Sequence, residues 1–219
     1  MKLLLVGATG LVGSHVLALA LADPRIGSVA APARRDLPAH PRLLSPRVDF
    51  EHLPESASWW QADAVICTLG TTLRAAGSRE AFRQVDYAYP LAVARIARRH
   101  GTPTCVLNSA MGADVASKFF YNRIKGELER DLAQVGFTSL TFVRPGLIGG
   151  ERDEFRPAER AMAAVLRAAA PMLPRRWRIN PAANIARALI EAAVGAADGM
   201  HVVPSEDLFR PETNKPPQK

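Results

Sequence analysis

Gly7-Ala8-Thr9-Gly10-Leu11-Val12-Gly13 places three glycines at three-residue intervals between a short leucine and valine run, Lys2 to Val6, and Leu11 to Ala22, where alanine and leucine stand at helical density. Few local structures accommodate that order: a strand, a tight turn and a helix. Each glycine has a mechanical use in such a turn. Gly7 permits the sharp reversal, Gly10 lets backbone amides approach a pyrophosphate with no Cβ in the way, and Gly13 lets helix and strand pack closely. The helix N-terminus adds oriented N–H groups and partial positive charge. A glycine pattern alone says little, but at the head of a βαβ series it reads as a dinucleotide turn, with Thr9, Leu11 and Val12 joining Gly7, Gly10 and Gly13 as expected cofactor contacts.

The rest of the chain supplies that series. Ala64 to Thr68, Thr104 to Asn108 and Ser139 to Val143 are apolar strand candidates, with weaker ones at Ser28 to Ala31 and Val48 to Phe50. Helical stretches near Asp86 to His100 and Ser117 to Val135 lie between them, and this alternation predicts a doubly wound parallel sheet, a Rossmann-like α/β fold. After Arg144 the pattern changes to Ala- and Arg-rich helices near Pro157 to Ala170 and Ala182 to Val194, with Pro171 and Pro174 between them. These predict a small helical cap over about residues 150–200, followed by a late edge strand at His201 to Val203. The length of 219 residues fits one domain, expected over 1–205, with 206–219 as a Pro-rich flexible tail.

Composition excludes several classes. With 48% hydrophobic and 22% charged residues the chain can bury a core and is not globally disordered. The net charge of +7 is dispersed and aromatic residues are only 6%, so nucleic-acid recognition by stacking is not expected. Apolar runs are broken by Gly, His or Asp long before bilayer-spanning length, and Gly7 to Gly13 interrupts any signal-peptide core, so neither a membrane span nor a leader is expected. Cys67 and Cys105 lie in apolar strand runs and read as reduced core residues, which suggests a cytoplasmic location. The five histidines are scattered, none with a second ligand at metal spacing, and no metal is expected.

At the end of the second strand an NAD-selective site usually places an acid against the ribose hydroxyls, whereas this chain has Ala33-Arg34-Arg35 before Asp36. A guanidinium there favours a 2′-phosphate, so Arg34, with Arg35 beside it, predicts NADP over NAD. Tyr121-Asn122-Arg123-Ile124-Lys125 sets a phenol and an ammonium four residues apart on one helical face, and Ser109 ends the preceding strand. Lysine favours the phenolate and can hold a ribose, and a serine hydroxyl can donate to a carbonyl. Ser109, Tyr121 and Lys125 are the candidate catalytic set. Trp59 and Trp60 read as packing anchors and Gly70 to Gly77 as a flexible loop, since no Gly-Lys-Ser/Thr follows.

These motifs, with Cys67-Thr68-Leu69-Gly70-Thr71-Thr72, Val85-Asp86, Ser109-Ala110-Met111-Gly112-Ala113-Asp114, Gly126-Glu127 and Arg144-Pro145-Gly146, occur in an order that resembles the short-chain dehydrogenase/reductase superfamily. Within it the chain looks like the atypical branch typified by the Tat-interacting protein family of oxidoreductase-like proteins, over about residues 3–205. The resemblance implies that Ser109, Tyr121 and Lys125 form the active-site triad, that Asp49 faces the adenine and that Leu69 and Gly70 line the cofactor. It also implies that Pro145, Gly146, Leu147 and Ile148 lie beside the nicotinamide. Two departures stand out: Thr68-Leu69-Gly70-Thr71 replaces the Asn-Asn-Ala-Gly of typical members, and Asp86 stands where extended relatives often carry Asn. The cap is shorter than in sugar-nucleotide epimerases of the superfamily, which implies a smaller substrate.

The expected activity is therefore an NADP-dependent oxidoreductase acting on a small carbonyl or hydroxyl substrate. The alternative is a catalytically weak NADP(H)-binding regulator or scaffold that engages a protein partner through the cap or tail, where Arg175-Arg176-Trp177-Arg178 forms a compact basic cluster. Substrate identity and oligomeric state are not legible from the sequence.

Overall fold

Leu3, Leu4, Leu5 and Val6 are all buried, and a strand apolar on both faces belongs at the centre of a covered sheet. In the computed structural model, which describes residues 1–149 and 179–209, that is where it lies. The strands are β1 (Lys2–Val6), β2 (Ser28–Ala30), β3 (Leu43–Leu44), β4 (Ala64–Cys67), β5 (Thr104–Asn108), β6 (Ser139–Arg144), β7 (Ile148–Gly149), β8 (Asn180–Pro181) and β9 (Gly199–Pro204). Seven of them form one sheet in the order β3-β2-β1-β4-β5-β6-β9, every neighbouring pair parallel, and β7 pairs with β8 apart from it. The expected doubly wound sheet is present. Its strand order reverses between β1 and β4, and ligands of such sheets bind outside the carboxyl ends of the strands at that switch point.

Alternating side chains send each strand into two cores. Leu3, Leu5, Ile66, Val106 and Val143 meet α1 (Leu11–Ala22) and α6 (Ala182–Gly195) on one face. Leu4, Val6, Val65, Cys67, Leu107 and Phe142 meet α4 (Tyr89–Arg99) and α5 (Phe120–Ala133) on the other. The two short helices α2 (Leu73–Ala76) and α3 (Arg79–Arg83) precede α4.

Four expectations change. The helix near Ala182 to Val194, expected in the cap, is α6 and lies on the sheet: Ile185, Ala186, Leu189, Ile190 and Ala193 are buried against α1, where Val12, Gly13, Val16, Leu17 and Ala20 repeat the same spacing. Small residues on both stripes let the two helices close over one sheet face. The helix expected near Pro157 to Ala170 and the Arg175–Arg178 cluster lie outside the described residues. Part of the tail expected from residue 206 is structured, because Ser205–Phe209 forms a 3-10 turn with Leu208 buried in the α1/α6 core, and 210–219 lie outside the described residues.

The third strand is not Val48 to Phe50 but Leu43–Leu44, continued by an isolated Ala33–Arg47 bridge in which Val48 N–H donates to the Ala33 carbonyl. Pro41 and Pro46, which have no N–H for a ladder, keep this edge short. Finally, the helix expected from Asp86 starts earlier. Gln84–Ala88 forms a π-turn between α3 and α4. Pro90 explains it: its nitrogen cannot donate and its ring excludes the carbonyl four residues back, that of Asp86, so the helix widens there.

Candidate active site

The turn after β1 is built as its glycines require. Gly7 has φ +92°, its carbonyl accepts the Gly10 N–H at 3.0 Å, and a Cβ on Gly13 would lie 2.0 Å from that same carbonyl oxygen. Gly10 caps α1 with no side-chain hydrogen bond, so the first-turn N–H groups of α1 are left to an external acceptor. Thr9 and Gly10 are exposed, and the turn abuts Thr68 and Leu69 after β4 at the switch point. An exposed, uncapped helix N-terminus with no Cβ at Gly10 fits a dinucleotide diphosphate.

Arg34 and Arg35 follow the Ala33 bridge at the end of the second strand and are exposed. Asp49 lies just beyond the same bridge, its carboxylate accepting from the Glu51 N–H at 2.9 Å and meeting the His52 ring at 3.1 Å. Those hydrogen bonds, with burial opposing them, hold the Asp49 carboxyl below its ordinary value. Asp49, Glu51 and His52 thus do cluster, contrary to the expectation that no histidine has an acidic neighbour at ligand distance. All three are exposed and both carboxylates already have protein donors, that of Glu51 being the Tyr89 hydroxyl at 3.2 Å.

Tyr121, Lys125 and Glu129 occupy one face of α5 at successive turns. This helix is locked to the loop after β5: a Cβ on Gly126 would fall 2.3 Å from the Asp114 carbonyl carbon, and Asp114 N–H donates to the Asn122 carbonyl. Tyr121 is 39% exposed, with its ring 5.8 Å from that of buried Phe82 and the Lys125 ammonium 6.0 Å from its centroid. Lys125 itself is 3% exposed and ion-paired with Asp86, also buried, at 2.8 Å. Burial alone would lower the Lys125 ammonium, but the Asp86 carboxylate, with Tyr121, outweighs it and the net direction is upward. The same Asp86 accepts the Thr71 N–H at 2.7 Å, which ties the Leu69–Gly70–Thr71 loop to α5. Cys67, under this loop, is pushed up to about 11 by burial and stays a thiol.

Ser109 is placed differently. Its hydroxyl donates to Glu129 Oε1 at 2.5 Å, and Glu129 holds the Arg144 guanidinium through both carboxylate oxygens. Ser109 is 4% exposed and Glu129 5%, so Ser109 joins a buried network at the ends of β5 and β6. Pro145 to Ile148 leave β6 under the control of Asn180, which is fully buried. Its Oδ1 accepts from Gly146 N–H at 2.7 Å and from the Ser205 hydroxyl at 2.8 Å. The sequence reading missed Asn180 and Glu129. Glu129 continues the Tyr121–Lys125 spacing by one more turn, a signal that was available; Asn180 offered none.

The chain shares 37% identity over 218 residues with the mitochondrial protein fmp52 of Aspergillus fumigatus, covering 94% of this chain and 92% of that one. It belongs to the Fmp52 family. A second Fmp52 protein, from Candida albicans and also named mitochondrial, is 37% identical over 164 residues, 70% of each chain. No family model matches. Among solved structures the fold superimposes on MoeE5 bound to UDP-glucose and NAD, with TM-score 0.71 at 16% identity over 92% of this chain and 75% of that one. It also superimposes on a short-chain dehydrogenase family protein from Francisella tularensis, with TM-score 0.63 at 14% identity over 95% and 99%. This Fmp52-family chain therefore shares the Rossmann-type α/β fold of those structures.

The cytoplasmic expectation does not stand, since the Fmp52 relatives are named mitochondrial. Its premise was too weak: two buried, unpaired cysteines suit any reducing compartment. Among the described residues of this family member, no helix is long and apolar enough to cross a membrane.

Proposed function

We propose that this chain is an NADP-dependent oxidoreductase in which Tyr121 exchanges a proton with the oxygen of a small carbonyl or hydroxyl substrate. The observation that carries this reading is the Tyr121–Lys125–Asp86 arrangement beside an uncapped glycine turn. Lys125 supplies positive charge next to the phenol, which favours the phenolate and eases proton exchange near neutral pH. The ammonium would also hold a ribose hydroxyl. The α1 N-terminus, with Gly7, Thr9, Gly10, Leu11, Val12 and Gly13, would hold the diphosphate, Arg34 and Arg35 the 2′-phosphate, and Asp49 the adenine edge. Leu69 and Gly70 would line the cofactor, and Pro145 to Ile148 would lie beside the nicotinamide. When bound, NADP supplies or accepts the hydride. The resemblance to the Tat-interacting protein family of atypical reductases supports the same assignment.

A second reading has one observation in its favour. The Ser109 proton is directed to Glu129, so the hydroxyl that would orient a substrate carbonyl is engaged elsewhere, as suits a weakly catalytic NADP(H)-binding regulator with a protein partner. Calorimetric titration with NADPH and NADH, followed by a panel of small carbonyl compounds, separates the two. Oxidation of NADPH by wild type, lost by about 10²-fold or more in Tyr121→Phe, supports the enzyme. Tight NADPH binding without oxidation, together with NADPH-dependent association with a protein, supports the regulator.

A further inference from the structure

Asp86 is the least exposed carboxylate among the described residues, at 1%, and both of its oxygens are used. One lies 2.8 Å from the Lys125 ammonium and the other accepts the Thr71 N–H at 2.7 Å. Its backbone sits in the π-turn enforced by Pro90, which delivers the side chain between the end of β4 and the middle of α5. Gly70 lies directly on the pair: a Cβ there would be 3.3 Å from Asp86 Oδ1 and 3.9 Å from Lys125 Nζ. We infer that Asp86 is a positioning residue that fixes Lys125 and the Leu69–Thr71 loop against each other, so that ammonium, phenol and loop present one preformed surface to a pyridine dinucleotide.

The inference rests on the proposed role of Tyr121 and Lys125, and its physical content lies in the choice of a carboxylate. Aspartate gives Thr71 and Lys125 a separate oxygen each, whereas asparagine at this position has a single acceptor oxygen to offer both and turns an NH2 group toward one of them. Asparagine also brings no charge. The titratable groups facing Lys125 are Asp86 from the π-turn, Tyr121 one turn earlier on α5, and Cys67 at the end of β4, whose thiol is neutral below about 11. Asp86 is then the counter-charge that keeps a buried ammonium protonated, and without it burial favours the neutral amine.

The test is made on the full chain labelled with ¹⁵N-lysine, the Lys125 Nζ signal being identified by its loss in Lys125→Met. In wild type the ammonium signal should persist to alkaline pH; in Asp86→Asn it should titrate at least about two pH units lower. NADPH affinity, read by fluorescence, should be flat with pH in wild type and in Asp86→Glu. In Asp86→Asn it should fall about tenfold or more as pH rises through the new Lys125 midpoint. An unchanged Lys125 titration, or a uniform loss of affinity at every pH, overturns the inference. Should Asp86→Asn not fold, wild type decides by itself: a Lys125 ammonium that keeps its proton into the ordinary lysine range supports the inference, and one that loses it near neutral pH overturns it. Failure of wild type to bind NADPH and NADH would defeat the proposed function, while the lysine titration would still decide the role of Asp86.

Discussion

Gly13→Ala separates what the glycine turn does for folding from what it does for binding. The added Cβ would stand 2.0 Å from the Gly7 carbonyl oxygen, 2.7 Å from its carbon and 2.7 Å from Thr68 Oγ1. The shortest of these is roughly 1.5 Å inside the separation at which non-bonded heavy atoms attract. The oxygen cannot step aside, because Gly7 holds φ +92° and the oxygen accepts the Gly10 N–H. Relief requires the first turn of α1 to lift from β1, loosening Val12 and Val16 in the core. Overpacking against rigid structure costs about 1–3 kcal/mol, and a clash of a side chain with backbone belongs at the upper end. Alanine returns about 1 kcal/mol of helix propensity, leaving a net loss of about 2 kcal/mol. For a chain of this size that is a fall of roughly 4–8 °C in Tm.

Gly10→Ala is the counterpart. Its Cβ meets the Gly7 oxygen at 3.3 Å and no other atom within 4 Å, so stability should change by less than about 1 kcal/mol. A methyl group over the exposed turn should instead weaken NADPH binding. Thermal melts and NADPH titrations on the two variants side by side check both halves. A Gly13→Ala melt at or above that of wild type would refute the packing argument, and wild-type NADPH affinity in a folded Gly10→Ala would refute the cofactor assignment.

Other consequences are as direct. Leu189→Ala removes a fully buried side chain between α6 and α1 and should cost about 2–5 kcal/mol in urea unfolding; a surface-like loss under about 0.5 kcal/mol would contradict the core placement of α6. Arg34→Gln should weaken NADPH about 10- to 100-fold while leaving NADH unchanged, and equal losses for both in calorimetry would remove Arg34 from the 2′-phosphate site. The Asp131 carboxyl is held below its ordinary value of 3.8, first by the Arg130 guanidinium, with burial opposing, and then by the Tyr87 hydroxyl at 2.6 Å. Because the folded value is the lower one, this stabilisation is present above the ordinary carboxylate range and is lost as pH falls through the folded value. The urea midpoint of wild type should drop between neutral pH and about pH 3 more than that of Asp131→Asn, and parallel curves would discount the carboxylate.

Elements whose signal is local were legible in the sequence. β1, β4, β5 and β6 are apolar on both faces, α1 follows a glycine turn, and Tyr121–Lys125 is a spacing within one helix. Those that depend on remote contacts were not. β3 is two residues long between prolines, so its pairing with β2, not its own pattern, makes it a strand. The Ala-rich composition of α6 sets its helicity but not the surface it covers; that surface is chosen by the matching stripe on α1, more than 160 residues earlier in the chain. Asp86 stands out in the sequence as a departure, yet its pairing with Lys125 follows from the π-turn before Pro90, which no local pattern announces.

The candidate site is accordingly less a motif on α5 than a set of three buried ties across the carboxyl ends of the strands. Asp86 joins the loop after β4 to Lys125, Glu129 joins Ser109 after β5 to Arg144 of β6, and Asn180 joins Gly146 after β6 to the Ser205 turn after β9. Each tie buries polar groups whose desolvation must be offset by good geometry, so none is a cheap source of stability, and an apolar substitute of like volume could hold the strands as firmly. What an apolar contact cannot do is fix the direction of an ammonium or of a hydroxyl proton. Two of the ties end on Ser109 and Lys125, the polar groups set around Tyr121 in the proposed chemistry. They orient the two oppositely: Lys125 is kept charged toward the site, while the Ser109 proton is drawn away from it. The Ser109 oxygen is thereby left as an acceptor, which suits a hydroxyl-bearing substrate better than a carbonyl one. Ser109→Ala should therefore raise KM for the alcohol more than KM for the carbonyl compound, and steady-state measurements in both directions would show whether that asymmetry exists.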